Sequence, residues 1–573
     1  MFGQTLTLRC VSSLSAVSAA GVLPSRSIKR FIARLIRARR AGTRSLSSGS
    51  LAGFIASRWV EIRTLGETHE HAPVTVPPPL LACFTVKMDI QLPCDPINIR
   101  GQGEQEKRNQ EVCDNKKQEE HKNKDDKCNR TKCQTSVATE EKPDREQGQE
   151  EKEGKEEETQ ESDVLNVLEC DVRGAVIADK GEGAVLTSWT AEYLGKKGDN
   201  YLSCVKRVKA QVMIEECEEQ LTYVAKVKML FSDTYKEFSN MSFFKEHEFY
   251  TKLLPELNSV LAEAGLDPLR IPKFYHYSKC EEREILILED LTARGFRMAD
   301  RKKGLDFAHA VLVLQELARI HASSVLLQRK HSVEELRVRH KFLALDWTNN
   351  SKIPREDMAV AISGDLLAAT AIAENSKGYE DMARWLRELG PRGVDVFDEQ
   401  LETRPPFAML GHGDCWTNNF VFRYDDGGHP VEVMLLDLQL CRQGSPALDL
   451  QTLMYSSING ALRRNSLPHF LQTYTSSFDA TVEAGGIPPL FTVEELTEEY
   501  NARSMYGVLM ASMYIPLMVV DSEDAPDFTK VDDEKEFYAD RAEEVARSMD
   551  DNPLLRETMC SAFDEWIDMG LIS

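Results

Sequence analysis

Leu410-Gly-His-Gly-Asp-Cys-Trp-Thr-Asn-Asn419, with Val431-Glu-Val-Met-Leu-Leu-Asp437 shortly after it, is the stretch on which the reading of this chain turns. Asn419 to Tyr424 and Val431 to Asp437 are rich in β-branched and aromatic residues, and predict two strands. Asp425-Asp-Gly-Gly428 supplies the turn between them. A hairpin sets the start of its first strand beside the end of its second, so Asn419 is expected next to Asp437. Asp414 falls in the loop just upstream. The expectation is a base, Asp414, and two oxygen ligands for a metal, Asn419 and Asp437. Mg²⁺ suits such a pair, because it takes a few protein oxygens and completes its shell with phosphates and water.

Asn and Asp are ordinary turn residues, and an isolated H-x-D would carry little weight. Here the Asp-x₄-Asn spacing, the hairpin and the later Asp coincide. The pattern resembles the catalytic loop and metal-binding Asp of protein kinases, with Gly413 in place of the usual Arg. It departs from them further on. The second site reads Asp437-Leu-Gln439, and Gly444-Ser-Pro-Ala-Leu-Asp-Leu450 comes directly after it, leaving no room for an activation segment. These departures fit kinases of small molecules better than kinases of proteins.

At 573 residues the chain is long enough for two or three domains and an ample core. Its net charge of -23 argues against a general nucleic-acid binder, which needs a basic face. The 13 cysteines are scattered with no C-x₂-C pair, which suits a reducing compartment. Cys415, beside Asp414, is expected to be a packing residue. No uninterrupted apolar run reaches the roughly 18 residues of a membrane span. Met505 to Val520 comes nearest, and with Gly507, Ser512 and Pro516 inside it reads as a buried helix. A monomer is expected.

Composition divides the chain. Residues 1–60 hold no Asp or Glu but ten Lys or Arg, and Ser27 to Arg40 is amphipathic at helical spacing. That is the make-up of a mitochondrial transit peptide; the alternative is translation from Met88. Residues 1–87 are accordingly read as a basic extension. Gly101 to Asp163 contains no Leu, Ile, Phe, Tyr, Trp or Met, and its acidic residues outnumber the basic ones 20 to 13. Such a tract cannot bury enough apolar surface to offset its ordering entropy, so 88–163 is expected to be a disordered acidic linker. Globular sequence is expected from about Val164 onward, as an N-terminal lobe over 164–290 and a helical lobe over 291–573.

Two strands are expected at Tyr201 to Val212 and Leu221 to Leu230, joined by an acidic turn around Glu215 to Glu219. Lys226 falls within the second strand, and a buried unpaired ammonium is very costly. The next helix, Asn240 to Leu257, carries Phe243, Tyr250, Leu253 and Leu257 on one stripe, and Glu246 shares it. Lys226 and Glu246 therefore form a candidate pair, with Lys228 as the rival lysine. Gly195 to Ser203 leads into the first strand, and Gly198 and Asn200 tolerate the backbone angles of a tight turn. An ordinary connecting turn fits the same residues. Glu284 to Leu291 reads as a buried strand ending in acids. The helix Asp306 to Leu327 bears His321 on its apolar face, where a hydrogen-bonded core histidine is the expected role.

Taken in order, these segments resemble the ecdysteroid kinase-like family, also called the choline-kinase-like kinases of arthropods and nematodes. The resemblance rests on Gly198-Asp-Asn-Tyr201, Phe244 to Tyr250, Leu286 to Leu291 with Gly295 to Asp300, His412 to Asn419, and Leu436 to Leu450. It implies an α+β fold of two lobes, protein-kinase-like and of the aminoglycoside phosphotransferase and choline kinase type. It also implies ATP- and Mg²⁺-dependent phosphorylation of a small-molecule hydroxyl, on an ecdysteroid or a xenobiotic metabolite. Under it Asp414 serves the acceptor hydroxyl, and Asn419 and Asp437 hold Mg²⁺. Lys226, favoured over Lys228, grips phosphates and is held by Glu246. Gly198, Asn200 and Ser203 cover the nucleotide, and Glu289 and Leu291 lie at the adenine hinge. The family commonly has Asp-Phe-Gln at the second metal site, where this chain has Asp437-Leu-Gln439. The alternative reading is a catalytically silent, ligand-binding pseudokinase-like protein. The resemblance implies the cytosol, and a functioning transit peptide would imply the mitochondrion instead.

Overall fold

The computed structural model describes residues 166–572, apart from 196–202, 230, 232, 281–282, 349–350, 522–523, 532 and 550. All of them belong to one compact unit, 143–573. The basic extension, the acidic linker, Gly198 and Asn200 lie outside the described residues.

The N-terminal lobe is a five-stranded antiparallel sheet: β1 (Val185–Tyr193), β2 (Ser203–Ile214), β3 (Cys217–Lys228), β4 (Phe274–Cys280) and β5 (Arg283–Glu289). Their order across the sheet is β1-β2-β3-β5-β4. The β2–β3 hairpin runs further than the sequence predicts, because Ile214 pairs with Cys217 and the turn shrinks to Glu215 and Glu216. Both turn residues have positive φ, 48° and 68°, the backbone that a two-residue hairpin loop requires. The polar run Cys217 to Gln220 stays in the ladder although its side chains face solvent, since backbone pairing does not need them buried. Helix α1 (Glu169–Lys180) covers one face, packing Val172, Ala175 and Val176 with Val208, Ala210, Val212, Ala225 and Val227. In β5 the residues Arg283 to Leu288 are all buried, as a strand between two others and under cover must be.

The helix carrying Glu246 is longer than its apolar stripe suggests. It runs as α2 (Asp233–Glu248), a π turn (Phe249–Leu253) and α3 (Leu254–Glu263). Pro255 sits in the first turn of α3. Proline has no N–H for the carbonyl one turn back, and the wider π turn just before it absorbs the mismatch.

Beyond Glu289 the chain is mostly helical and packs around two apolar clusters. At the centre of the first is α4 (Phe307–Lys330), N-capped by Asp306, whose carboxylate accepts from the His309 N–H. By length and composition α4 could cross a membrane, although Gln315, Glu316, Arg319 and His321 interrupt its apolar residues. Its apolar stretch is 72% buried inside the lobe, the burial of a core helix. Two small sheets are set into this lobe. One joins β6 (Arg297–Met298), β8 (Phe420–Tyr424) and β9 (Pro430–Leu435), and the other pairs β7 (Met409–Gly411) with β10 (Arg442–Gly444). Helices over Pro446–Ser457, Gly460–Ala484 and Ser504–Val519 build much of the remaining core.

Candidate active site

The β8–β9 hairpin sets the geometry. Phe420 pairs with Leu435, and the Leu436 N–H donates to the Asn419 carbonyl at 2.9 Å. Asn419 and Asp437 thus flank the open end of the hairpin. They sit just outside the strands, Asn419 at the end of the short turn Thr417–Asn419 and Asp437 immediately before the turn Leu438–Leu440. Asp437 adopts the left-handed backbone, φ 62°, a region that Asp enters more readily than most residues.

Lys226 lies at the centre. Its Nζ donates to Glu246 Oε2 at 2.7 Å and to Asp437 Oδ1 at 2.7 Å, with Gln439 Oε1 at 3.5 Å. Burial would lower the ammonium's pKa, but Asp437 and Glu246 more than reverse this and hold it above the usual lysine range. One ammonium cannot fully neutralise two carboxylates. Burial therefore pushes Glu246 up to about 7 despite Lys226. Lys228 turns elsewhere, bonding Asn240 Oδ1 at 2.9 Å and Glu284 Oε2 at 3.4 Å. Among the described residues, Glu246 Oε1 and the Tyr250 hydroxyl are buried beside this cluster without a hydrogen-bond partner.

Asp414 is 8% exposed. Asn419 Nδ2 donates to its carbonyl at 2.9 Å, which leaves Asn419 Oδ1 as the amide's acceptor atom. Burial and the nearby Asp437 push the Asp414 carboxyl up to about 7, while Tyr514, Asn419 and Lys226 pull it down. His412 ties the loop to the hairpin. Its Nδ1 accepts from the Asp414 N–H at 3.3 Å, so Nε2 carries the proton and donates to the Leu436 carbonyl at 2.9 Å. Burial lowers its pKa, in keeping with a neutral ring.

Gly413 has φ +84°, and a Cβ there would stand 2.2 Å from the Leu440 carbonyl oxygen. No side chain fits, which is why the Arg of the protein-kinase pattern is missing.

Three groups that the sequence reading did not assign to the site hold it together. Asp449 accepts from the His412 N–H at 2.6 Å, the Gly413 N–H at 2.9 Å and His321 Nε2 at 3.0 Å. Burial pushes its carboxyl up, but His321, His412 and the Gly413 N–H overcome this and hold it at about 2. His321 Nδ1 in turn accepts from the Tyr474 hydroxyl at 2.7 Å, so His321 is a core histidine that orients Asp449. Its presence on an apolar helical face was the available signal. The third group, Tyr514, donates its hydroxyl to Asp414 Oδ1 from 100 residues away in the chain.

The remaining candidates are not gathered into this cluster. Ser203 begins β2 opposite Lys228 and is buried. Glu289 accepts from the Lys273 N–H at 3.2 Å and from Arg294 at 3.2 Å. Leu291 packs with Phe296, Val421 and Met434, an apolar patch between the end of β5 and the hairpin. A cavity of about 360 Å³ is lined by Leu253, Leu257, His340, Leu410 and Arg442, among others, and by none of Asp414, Lys226, Asn419 and Asp437. Among the described residues no three His, Cys, Asp or Glu side chains cluster as a metal cage. A site of one carboxylate and one amide oxygen fits a cation that also draws on phosphate and water.

The model of the ecdysteroid kinase-like family matches residues 197–486. No curated protein matches the chain. Among solved structures, a double mutant of the Mycobacterium tuberculosis PknI kinase domain is similar over 64% of this chain and 98% of that chain. The identity is 11% and the TM-score 0.18, values too low to bear on the argument.

Proposed function

Because the chain belongs to the ecdysteroid kinase-like family, we propose that it transfers the γ-phosphoryl group of ATP to a hydroxyl of a small molecule. The observation that carries this is the bridge from Lys226 to both Glu246 and Asp437. It joins a phosphate-binding cation to the carboxylate of a metal site. Lys226 would hold the α- and β-phosphates, with Glu246 fixing its ammonium. Asn419 Oδ1 and the Asp437 carboxylate would hold Mg²⁺, which when bound offsets the charge of the phosphates. Asp414 orients the acceptor hydroxyl and takes its proton. Chemistry of this kind asks for positioning and charge compensation rather than a covalent intermediate.

The chain just beyond Asp437 favours a small acceptor. β10 leads directly into Ser445, whose hydroxyl caps the helix Pro446–Ser457. No segment intervenes that could bind a peptide in extended form. Ecdysteroids and hydroxylated xenobiotic metabolites are the acceptor classes to test first.

Calorimetry of ATP binding with and without Mg²⁺ tests the metal assignment. Asp437→Ala is expected to weaken Mg²⁺-dependent binding more than Asn419→Ala, because it removes a formal charge. Binding that is independent of the metal and indifferent to both changes would refute the pair.

A further inference from the structure

The bond from Tyr514 to Asp414 has no part in the chemistry above. Tyr514 is 5% exposed, on the helix Ser504–Val519. The Trp416 ring packs against it at 5.4 Å between centroids. Arg301 fastens the end of that helix by bonding the carbonyls of Leu517, Met518 and Val520. The hydroxyl is therefore delivered by a fixed ring on a fixed helix. A carboxylate that serves an alcohol acceptor must accept that alcohol's O–H. In this structure Asp414 Oδ1 already accepts an O–H, from a phenol.

We propose that Tyr514 is a specificity-determining residue, its hydroxyl standing in for the acceptor's on Asp414 and keeping water from taking that place. This rests on the kinase reading. A true acceptor brings binding contacts of its own and can take over Asp414 as the phenol O–H turns about its C–O bond, the ring staying in place, whereas water brings no such contacts. With an acceptor, its oxygen bonds to the γ-phosphorus and the bond from phosphorus to the ADP oxygen breaks. The hydroxyl proton passes to Asp414 and then to solvent, leaving a phosphate monoester, ADP and H⁺. With water the same steps give inorganic phosphate, and Tyr514 suppresses that loss.

The test measures hydrolysis of Mg-ATP by the full chain with no acceptor present, in wild type, Tyr514→Phe, Tyr514→Leu and Tyr514→Phe/Asp414→Asn. Phe keeps the ring contacts and Leu removes the hydroxyl with different packing, so a shared effect belongs to the hydroxyl. Both single variants are expected to hydrolyse ATP roughly ten-fold faster, as loss of a hydrogen bond to a charged group allows. KM for ATP should hold, and the double variant should lose the gain. Unchanged or slower hydrolysis in the single variants, or a gain that survives Asp414→Asn, would overturn the proposal. A wild-type chain that binds no Mg-ATP would overturn the kinase reading itself, a separate and distinguishable result.

Discussion

At the scale of single residues, the site depends on a few atoms with no freedom to change. Gly413 is the clearest case. Its φ of +84° and the Leu440 carbonyl 2.2 Å from any added Cβ penalise a side chain twice. Gly428, in the hairpin turn, has φ +79° but nothing within 4 Å. Gly428→Ala should therefore cost about 1–2 kcal/mol, the strain of a left-handed backbone alone. Gly413→Ala should cost clearly more and displace Asp414, lowering turnover as well as melting temperature. Equal melting losses in the two variants would show that the loop yields around the new methyl. The same scale explains what sequence could disclose. Lys226 and Glu246 were legible because a charge on an apolar strand or stripe demands a partner. Tyr514 was not, since an apolar helix with a tyrosine in it looks like any core helix and its contact spans 100 residues.

At the scale of elements, the hairpin was legible from alternation and turn residues, but its support was not. Asp449 lies in the first turn of the helix Pro446–Ser457 and reaches back to the N–H groups of His412 and Gly413 in the loop that carries Asp414. Sequence spacing gives no distance between a helix and a loop before it. The helix carrying Glu246 runs past both predicted ends, from Asp233 to Glu263 through the π turn before Pro255. The Asp449 bonds have a consequence for pH. Its carboxyl is held at about 2, below its ordinary 3.8. A depressed folded-state pKa gives stability that is present above the unfolded value and lost as pH falls through the folded one. Roughly 2–3 kcal/mol should therefore disappear between about pH 4 and pH 2. Asp449→Asn should melt lower than wild type at pH 7, and the gap should narrow below pH 4. A gap that stays constant with pH would mean the carboxylate's charge is not what holds the loop.

At the scale of the whole molecule, every bond that forms the site joins residues between Lys226 and Tyr514, within the unit 143–573. Composition sets the stretch before Val164 apart from the sequence that follows it. A fragment of residues 164–573 should match the full chain in melting temperature and ATP turnover. A large loss of either would mean that the preceding residues pack on the lobes. The two-lobed order was legible because strands cluster before Glu289 and helical periodicity dominates after it. The acceptor was not legible, since no motif in the chain specifies one. The central claim is transfer to a small hydroxyl compound through Asp414. The most direct measurement incubates γ-labelled ATP and Mg²⁺ with a panel of hydroxylated small molecules, ecdysteroids and xenobiotic metabolites included, using wild type and Asp414→Asn. The account predicts a labelled phosphate ester of at least one panel member with wild type and none with Asp414→Asn, although both bind ATP. Binding of ATP with no transfer to any member, or transfer that persists in Asp414→Asn, would contradict it.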